Sequence, residues 1–548
     1  MQEHYVRVLV PLRLDWIPVY RTELPLKRGD YVNVALSGRK YTGVVWECDA
    51  LPDISSGRIL PVLSAAEGIP AASEKEMKFW AFLSEYYLCS LGEVYKAARP
   101  AQLLRAVQVE LDRIKRTERA RLARKEALDS AVARLELRLA ALEEKISSPH
   151  RSEAVVSGLV SRKERILAQL EEKRKAAAAL SGQEDIPSPA PAASTGRPLL
   201  VHGTQRLQTY LEAVTEALDA GGQVLILTPE TAFCERLETF FSQRLGSRLH
   251  TAGSPARRGR TAIALQQGAG IAVVSTKNGI FLPFSRLSLI VIDEEQDSLY
   301  KQNDSAPRYN GRDSALMLAE LHSARVLLGS PSPSLETAYN CMNGKFAQLR
   351  LPESAGRLSV IDVKAERKKN GMSGYFSRKL VAAIRGCRGK VTLIRGWEKP
   401  ETLNMEISTL FPENAPEVLS LGELKCRGCD GTRLLAILQA DALVDDRSFR
   451  CDEKALQLVE TLRALVPELI IQTAVSERFD GSKTLESLLA ERREFNFPPF
   501  SRMVEIRSEA DGEARARHFL KRDAQLGRNK RKILADLPRD CYPDVDPA

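Results

Sequence analysis

Two apolar runs end in residues that could do chemistry. Leu289-Ile290-Val291-Ile292 runs straight into Asp293-Glu294-Glu295-Gln296, and Val326-Leu327-Leu328 ends in Gly329-Ser330-Pro331-Ser332-Pro333-Ser334. Short β-branched or leucine-rich runs that stop at such residues read as buried parallel strands. Open α/β sheets bind ligands at the C-terminal ends of their strands. A carboxylate at the end of a buried strand is the type of group that holds Mg²⁺ on a nucleoside triphosphate, and a neighbouring Glu can polarise the attacking water. Asp293 and Glu294 are therefore the candidate catalytic carboxylates; an acidic turn after a strand is the plainer alternative.

A phosphate loop must stand opposite such carboxylates. The pattern Gly-x-x-x-x-Gly-Lys-Thr lets backbone N–H groups wrap the phosphates, with Lys neutralising them and Thr reaching Mg²⁺. After the strand Leu199-Leu200-Val201 the chain has His202-Gly203-Thr204-Gln205-Arg206-Leu207-Gln208-Thr209-Tyr210. Only the first Gly is present. Without a gap, Gln208, Thr209 and Tyr210 take the places of Gly, Lys and Thr. With one residue deleted, Gln208 takes the Lys place and Thr209 keeps its role. Gly203 and Thr209 are the candidate nucleotide-binding residues, and Arg206 reads as a charge in the wrong position.

The longer strings carry a resemblance. Asp293 to Gln302, then Arg308-Tyr309-Asn310-x-Arg312-Asp313, then Gly329-Ser330-x-x-Pro333-Ser334-Leu335-Glu336-Thr337 closely resemble the first helicase lobe of the primosomal protein N′ (PriA) family, which restarts stalled bacterial replication forks. That family has His where Gln296 stands and Ala-Thr where Pro331-Ser332 stand. Thr228-Pro229-Glu230, the helix with Tyr86-Tyr87, the string Ser448-Phe449-Arg450-x-x-Glu453, Phe497-Pro498-Pro499-Phe500 and Asp544-Val545-Asp546-Pro547 fit the same family. The resemblance implies an N-terminal domain that captures a nascent 3′ end, but the family's stacking aromatic falls on Pro18 and its next polar residue on Val19. The family's arginine-finger motif is replaced by Glu460-Thr461-Leu462-Arg463, and its eight zinc ligands by one CxxC, Cys426 to Cys429, with Cys387 and Cys451 isolated. A lone pair does not make a zinc site, so no metal site is assigned. Mg-ATP has lost the residues that would hold it.

The elements that must position these groups divide the chain as follows. Residues 5–48 alternate as strands with turns at Gly29-Asp30 and Ser37-Gly38, giving a small β domain within residues 1–104, which the resemblance implies is of DNA-binding type. Gly38, Arg39, Lys40 and Tyr41 form a basic hairpin tip suited to a phosphate and a stacked base. Phe79, Trp80, Leu83, Tyr86 and Tyr87 make the core face of a helix. Residues 105–180 are a charged helical or coiled-coil segment standing where the family has a winged helix. Leu128, Val132, Leu135, Leu139, Leu142 and Ile146 form its seam, Pro149 stops it, and either an antiparallel hairpin or dimerisation uses that seam. Residues 181–198 are a Pro/Ala/Ser linker. Residues 199–352 are the first RecA-like lobe, 353–480 a truncated second lobe with few strands, and 481–548 a small C-terminal α+β domain of DNA-binding type, with a basic run from Lys521 to Lys532. The fold class is thus multidomain α/β with a P-loop-type helicase lobe.

Composition sets the bounds. The 548 residues carry 80 Lys and Arg against 71 Asp and Glu, a net charge of +9. This excess is compatible with a polyanionic partner. No stretch has the roughly 18 apolar residues a membrane helix requires. The N-terminus reads as a strand rather than a signal peptide, and nine scattered cysteines suit a reducing cytoplasm. The expectation is a cytoplasmic, nucleoid-associated protein that binds branched or single-stranded DNA at stalled forks without active ATPase or helicase function. Its expected partners, by resemblance, are single-strand-binding protein and the proteins that load the replicative helicase. Two alternatives stand beside it: an active ATP-dependent 3′-5′ helicase with an atypical phosphate loop, and a primosome scaffold acting through protein contacts.

Overall fold

A computed structural model describes residues 4–51, 58–66, 68–147, 153–181, 196–268, 270–444, 448–521, 537–538 and 540–547. Pro149, most of the linker, the basic run from Arg522 to Lys532 and the Cys426 side chain lie outside the described residues. The chain forms two compact units: Met1–Leu104 with Pro189–Ala548, and Arg105–Ser188.

In the larger unit, the N-terminal domain is an antiparallel five-stranded sheet. Its spatial order is Val19–Thr22, His4–Leu9, Arg39–Glu47, Tyr31–Leu36, Ser64–Ala65. The alternation read from sequence is the pleat: Val6, Val8, Val32, Val34 and Val45 are all buried in one cluster. Ser37 and Gly38 both have positive φ, 50° and 76°, the conformation a two-residue hairpin needs.

The helix Glu74–Tyr86 starts at a capping box in which Ser73 and Glu76 satisfy each other's backbone N–H groups. Its aromatic face does more than cover the barrel. Phe79 packs on Phe281 of the next domain at 6.3 Å between rings, and the Tyr87 hydroxyl accepts from the Asn310 backbone N–H at 3.0 Å.

The first lobe is an all-parallel seven-stranded sheet. The order is Ala347–Arg350, Leu199–His202, Arg325–Ser330, Leu287–Ile292, Gln223–Thr228, Ala272–Thr276, Leu249–Thr251. Leu287–Ile292 is central, buried on both faces, so the acidic string leaves the sheet at its middle. The strand pairs with Arg325–Ser330 in register Ile292↔Leu328, and this brings the Asp293 and Gly329 turns side by side.

The second lobe carries five parallel strands, ordered Arg357–Asp362, Glu468–Thr473, Thr432–Ile437, Lys390–Ile394, Glu417–Leu419. That corrects the expectation of few strands. Strands such as Thr432–Ile437 and Glu468–Thr473 carry short continuous apolar runs, Leu434–Ile437 and Leu469–Ile471, the pattern of a strand buried on both faces. Such a run is not separable by periodicity from a buried helix turn. The C-terminal domain adds three antiparallel strands, Ala514–Lys521, Ser501–Ser508 and Cys541–Val545.

The smaller unit is a helical hairpin, Ala101–Ser147 followed by Glu153–Ser181. Leu135, Leu142 and Leu170 are buried, and Glu143–Lys163 and Glu136–Arg174 pair across it at 2.8 and 2.6 Å. The predicted seam closes within one chain. No helix among the described residues is long and apolar enough to cross a membrane.

A buried ion pair of the N-terminal domain orients an arginine that reaches the first lobe. Arg99 and Glu76 are paired, with side chains 8% and 9% exposed. Arg99 also donates to the Tyr31 hydroxyl at 2.9 Å and to the Phe281 carbonyl at 2.8 Å. Replacing Arg99 with Met strands the Glu76 charge, and breaking a buried pair from one side costs about 3–5 kcal/mol. Urea denaturation of the Arg99→Met chain should show that loss, with Arg99→Met/Glu76→Gln recovering most of it.

Candidate nucleotide-site remnant

The turn Gly203–Arg206 joins the strand Leu199–His202 to the helix Leu207–Asp219 and faces the end of the central strand. Gly203 has φ +143°, a conformation side chains rarely adopt, and its N–H donates to the Ser330 carbonyl at 2.9 Å. The Thr204 N–H donates to the Glu353 carboxylate. A carboxylate thus stands before a loop N–H at the start of the helix, where an anion is favoured by the helix dipole.

Arg206 is the surprise. Its side chain, 6% exposed, turns inward, and its Nη2 lies 2.8 Å from Asp293 Oδ1 and 2.6 Å from Glu294 Oε1. Nε donates to Asp293 Oδ1 at 3.2 Å, and Nη1 donates to the Gly203 carbonyl. Spacing along the chain does not show that the loop folds back over the carboxylates. Tyr210 donates to the same Asp293 Oδ1 at 2.9 Å. Tyr210, the residue at the Thr place in the ungapped alignment, is thus the one that reaches Asp293, while Thr209 sits on the first turn of the helix. Burial opposes the charge on Arg206, but Asp293, Tyr210 and Glu294 outweigh it and hold the guanidinium well above its ordinary pKa. Burial, then Asp293, raises Tyr210 well above the usual phenol value.

The remaining carboxylates are also engaged. Glu294 takes the left-handed conformation, φ 52°, uncommon for a side chain of its size. It accepts from Gln296 Nε2 at 2.7 Å, and Gln296 in turn accepts from Ser330 Oγ at 2.6 Å. Glu295, 1% exposed, accepts from Ser334 N–H at 2.7 Å, Ser334 Oγ at 2.9 Å, Thr337 Oγ1 at 2.8 Å and Arg312 Nη1 at 3.0 Å. Glu295 therefore fastens the two chemistry-bearing turns together. Gly329 has no room for a side chain, since a Cβ there would meet the Tyr210 phenol.

The two lobes meet through side chains. Ser332 Oγ donates to Glu460 at 2.5 Å, so a carboxylate of the second lobe faces the first where the family has an arginine finger. Arg463 instead donates to the Gly356 carbonyl at 3.0 Å. Arg450 pairs with Glu336 at 2.8 Å, Arg492 with Glu453 at 2.9 Å and Lys425 with Asp297 at 2.7 Å. A cavity of about 200 Å³ at this junction is lined by Glu295, Arg312, Glu336, Arg450, Glu453 and Arg502, among others. Burial opposes ionisation of Glu336, but Arg450 and Arg312 outweigh it and bring its pKa down to about 2.

The hairpin tip Gly38 to Tyr41 belongs to a different sheet from Asp293. Arg39 and Lys40 are exposed, while Tyr41 packs on the barrel core. Pro18 and the exposed Trp16 line a cleft of about 770 Å³ beside Tyr87 and Tyr542, and Val19 is in the strand ladder opposite Arg7.

A family model for the 3′ DNA-binding domain of PriA matches residues 7–100. The replication restart protein PriA of Chlamydia pneumoniae is 28% identical over 430 residues, 69% of this chain and 56% of that protein. The chain is thus similar to PriA proteins along about two thirds of its length. The PriA of Haemophilus influenzae is 35% identical over 192 residues, 34% of this chain and 26% of its own length; that of Rickettsia felis is 25% identical over 374 residues, 66% and 48%. The chain spans about half the length of the longer-matching curated relatives. A DNA-junction complex of RecG superposes with TM-score 0.31 and 14% identity over 55% of this chain and 42% of that one.

The residues present do not fit the Mg-ATP that the resemblance to PriA implies. A guanidinium stands against the carboxylates that would hold the metal, and a carboxylate stands before the loop that would hold a phosphate. Zinc fits no better. Cys429 donates to the Leu465 carbonyl at 3.7 Å, and the described residues hold no cluster of three or more possible ligands.

Two measurements test this geometry. Arg206→Met leaves two buried carboxylates without a counter-charge and should cost about 3–5 kcal/mol; in an Asp293→Asn/Glu294→Gln background the same change should cost under about 1 kcal/mol, since the coupling is gone. A loss under about 1 kcal/mol in the native background would mean that Arg206 does not neutralise the pair. For Glu336 the folded pKa lies below the ordinary 4.5, so its ion pair contributes above about pH 4.5 and is lost as pH falls towards 2. Glu336→Gln should flatten the acid limb of the stability profile in that window, read by thermal melts from pH 5 to 2.

Proposed function

We propose that this chain is a replication-restart protein of the PriA type that binds branched DNA at stalled forks and lacks ATP-driven unwinding. The observation that carries the second half is the Arg206 guanidinium seated between Asp293 and Glu294. It supplies internally the positive charge that Mg²⁺ would bring. A metal would have to displace a buried, doubly paired guanidinium, and a phosphate would have to displace Glu353 without the loop Lys that normally neutralises it. The binding half is supported by the similarity to PriA proteins and by the match of residues 7–100 to the PriA 3′ DNA-binding domain. Action at the nucleoid follows from that partner, and contacts with single-strand-binding protein and helicase loaders belong to the same reading.

Calorimetric titration with Mg-ATP should give no saturable binding up to millimolar nucleotide, while a forked duplex binds at low salt with the same affinity in its presence or absence. Saturable ATP binding that Asp293→Ala abolishes would overturn the inactive reading. Absence of fork binding at low salt, where phosphate contacts are strongest, would overturn the DNA-binding one.

A further inference from the structure

The helical hairpin segregates its charge in a way that its own folding does not use up. On the long helix Ala101–Ser147, Arg105, Arg116, Arg134 and Lys145 are separated by 11, 18 and 11 residues. At about 3.6 residues per turn these are close to whole numbers of turns, so the four form a straight row about 60 Å long at about 1.5 Å per residue. All four are exposed. Among the residues three or four positions away from each of them, only Asp112 is acidic, while Arg113, Arg119 and Arg138 add positive charge to the row.

Four of the eight acidic residues of this helix gather on the other flank. Glu118, Asp129, Glu136 and Glu143 are spaced by 11, 7 and 7, and the last two are the partners of Arg174 and Lys163 in the second helix. The hairpin thus consumes negative charge on one side and leaves a positive row on the other. Arg113 is ion-paired with Glu110 at 3.5 Å within its own helix. Among the described residues none of the four row members is ion-paired.

We propose that this row is a docking surface for the phosphate backbone of duplex DNA. A long helix seamed to a partner is stiff and straight, which matches a duplex over one to two of its turns and not a flexible strand. Single-strand sites need aromatic side chains on which bases stack, and residues 105–181 contain no Phe, Tyr or Trp. With no group suited to reading base edges concentrated along the row, contact is to the backbone and independent of sequence. The inference rests on the DNA-binding reading above and assigns one part of it.

The test uses the full chain and a blunt duplex of about 20 base pairs, with affinity measured from about 50 to 200 mM salt. Arg116→Gln/Arg134→Gln/Lys145→Gln removes three charges from the row; Lys115→Gln/Lys125→Gln/Lys175→Gln removes three from elsewhere on the hairpin. Far-ultraviolet dichroism confirms that both keep their helix content. The row variant should bind the duplex at least about tenfold more weakly at the lowest salt and flatten the log–log salt slope by about 2–3, at about 0.9 for each phosphate left unneutralised. The off-row variant should stay within about twofold. Equal losses in the two variants, or none in the row variant, would overturn the proposal, whereas a wild-type chain that binds no DNA at all would instead sink the DNA-binding reading on which it rests.

Discussion

A guanidinium buried between two carboxylates organises the first lobe. An isolated charge of either sign in such a place would be too costly to keep ionised, so Arg206, Asp293 and Glu294 are stable there only as a set. The set dictates its surroundings. Gly203 must take a conformation open to glycine so that its carbonyl can turn to Arg206, and Gly329 must have no side chain so that Tyr210 can reach Asp293. Glu294 holds its left-handed backbone because both of its carboxylate oxygens are bonded, one to Arg206 and one to Gln296. Local strain of this kind persists when the neighbours over-determine it.

The same logic extends across the lobe junction. In a nucleotide-driven motor the ligand bridges two lobes, and its release lets them part. Here the bridge is made of side chains: Ser332 with Glu460, Arg450 with Glu336, and Lys425 with Asp297. The C-terminal strand adds to it, with Asp544 on Lys301 at 2.8 Å and Asp546 accepting from Tyr86 at 2.6 Å. Four parts of the chain are therefore joined by separate polar contacts, among which Lys301–Asp544 is a buried ion pair. Contacts of this kind favour a first and second lobe held together by the protein's own side chains.

Much of this was readable in residue order. The central strand and its acidic end, the missing loop lysine, the antiparallel N-terminal sheet and the long charged helices all depend on period and composition over short stretches of chain. The paired strand ends at Ile292 and Leu328 also follow from pattern, because a run buried on both faces has to lie inside a parallel sheet. The strand content of the second lobe was not readable this way, since its apolar runs are short and lack the alternation that separates a strand from a buried helix turn. The role of Gln296 was equally hidden: it joins Ser330 and Glu294, which are far apart in sequence and adjacent only because two strands are in register.

Residue order alone gives the resemblance to PriA proteins, the strand that ends in Asp293 and Glu294, and the absence of a Gly-Lys-Thr string after Gly203. Those properties reside in which residue types occur at which spacing. Only the tertiary structure decided what stands there instead. Arg206 lies 87 positions from Asp293, and whether its long side chain points to solvent or into the site depends on how the turn after Gly203 folds over the sheet. Helical period likewise placed the arginines of the hairpin in a row, but the pairing of the second helix with Glu136 and Glu143 decided which flank remained exposed.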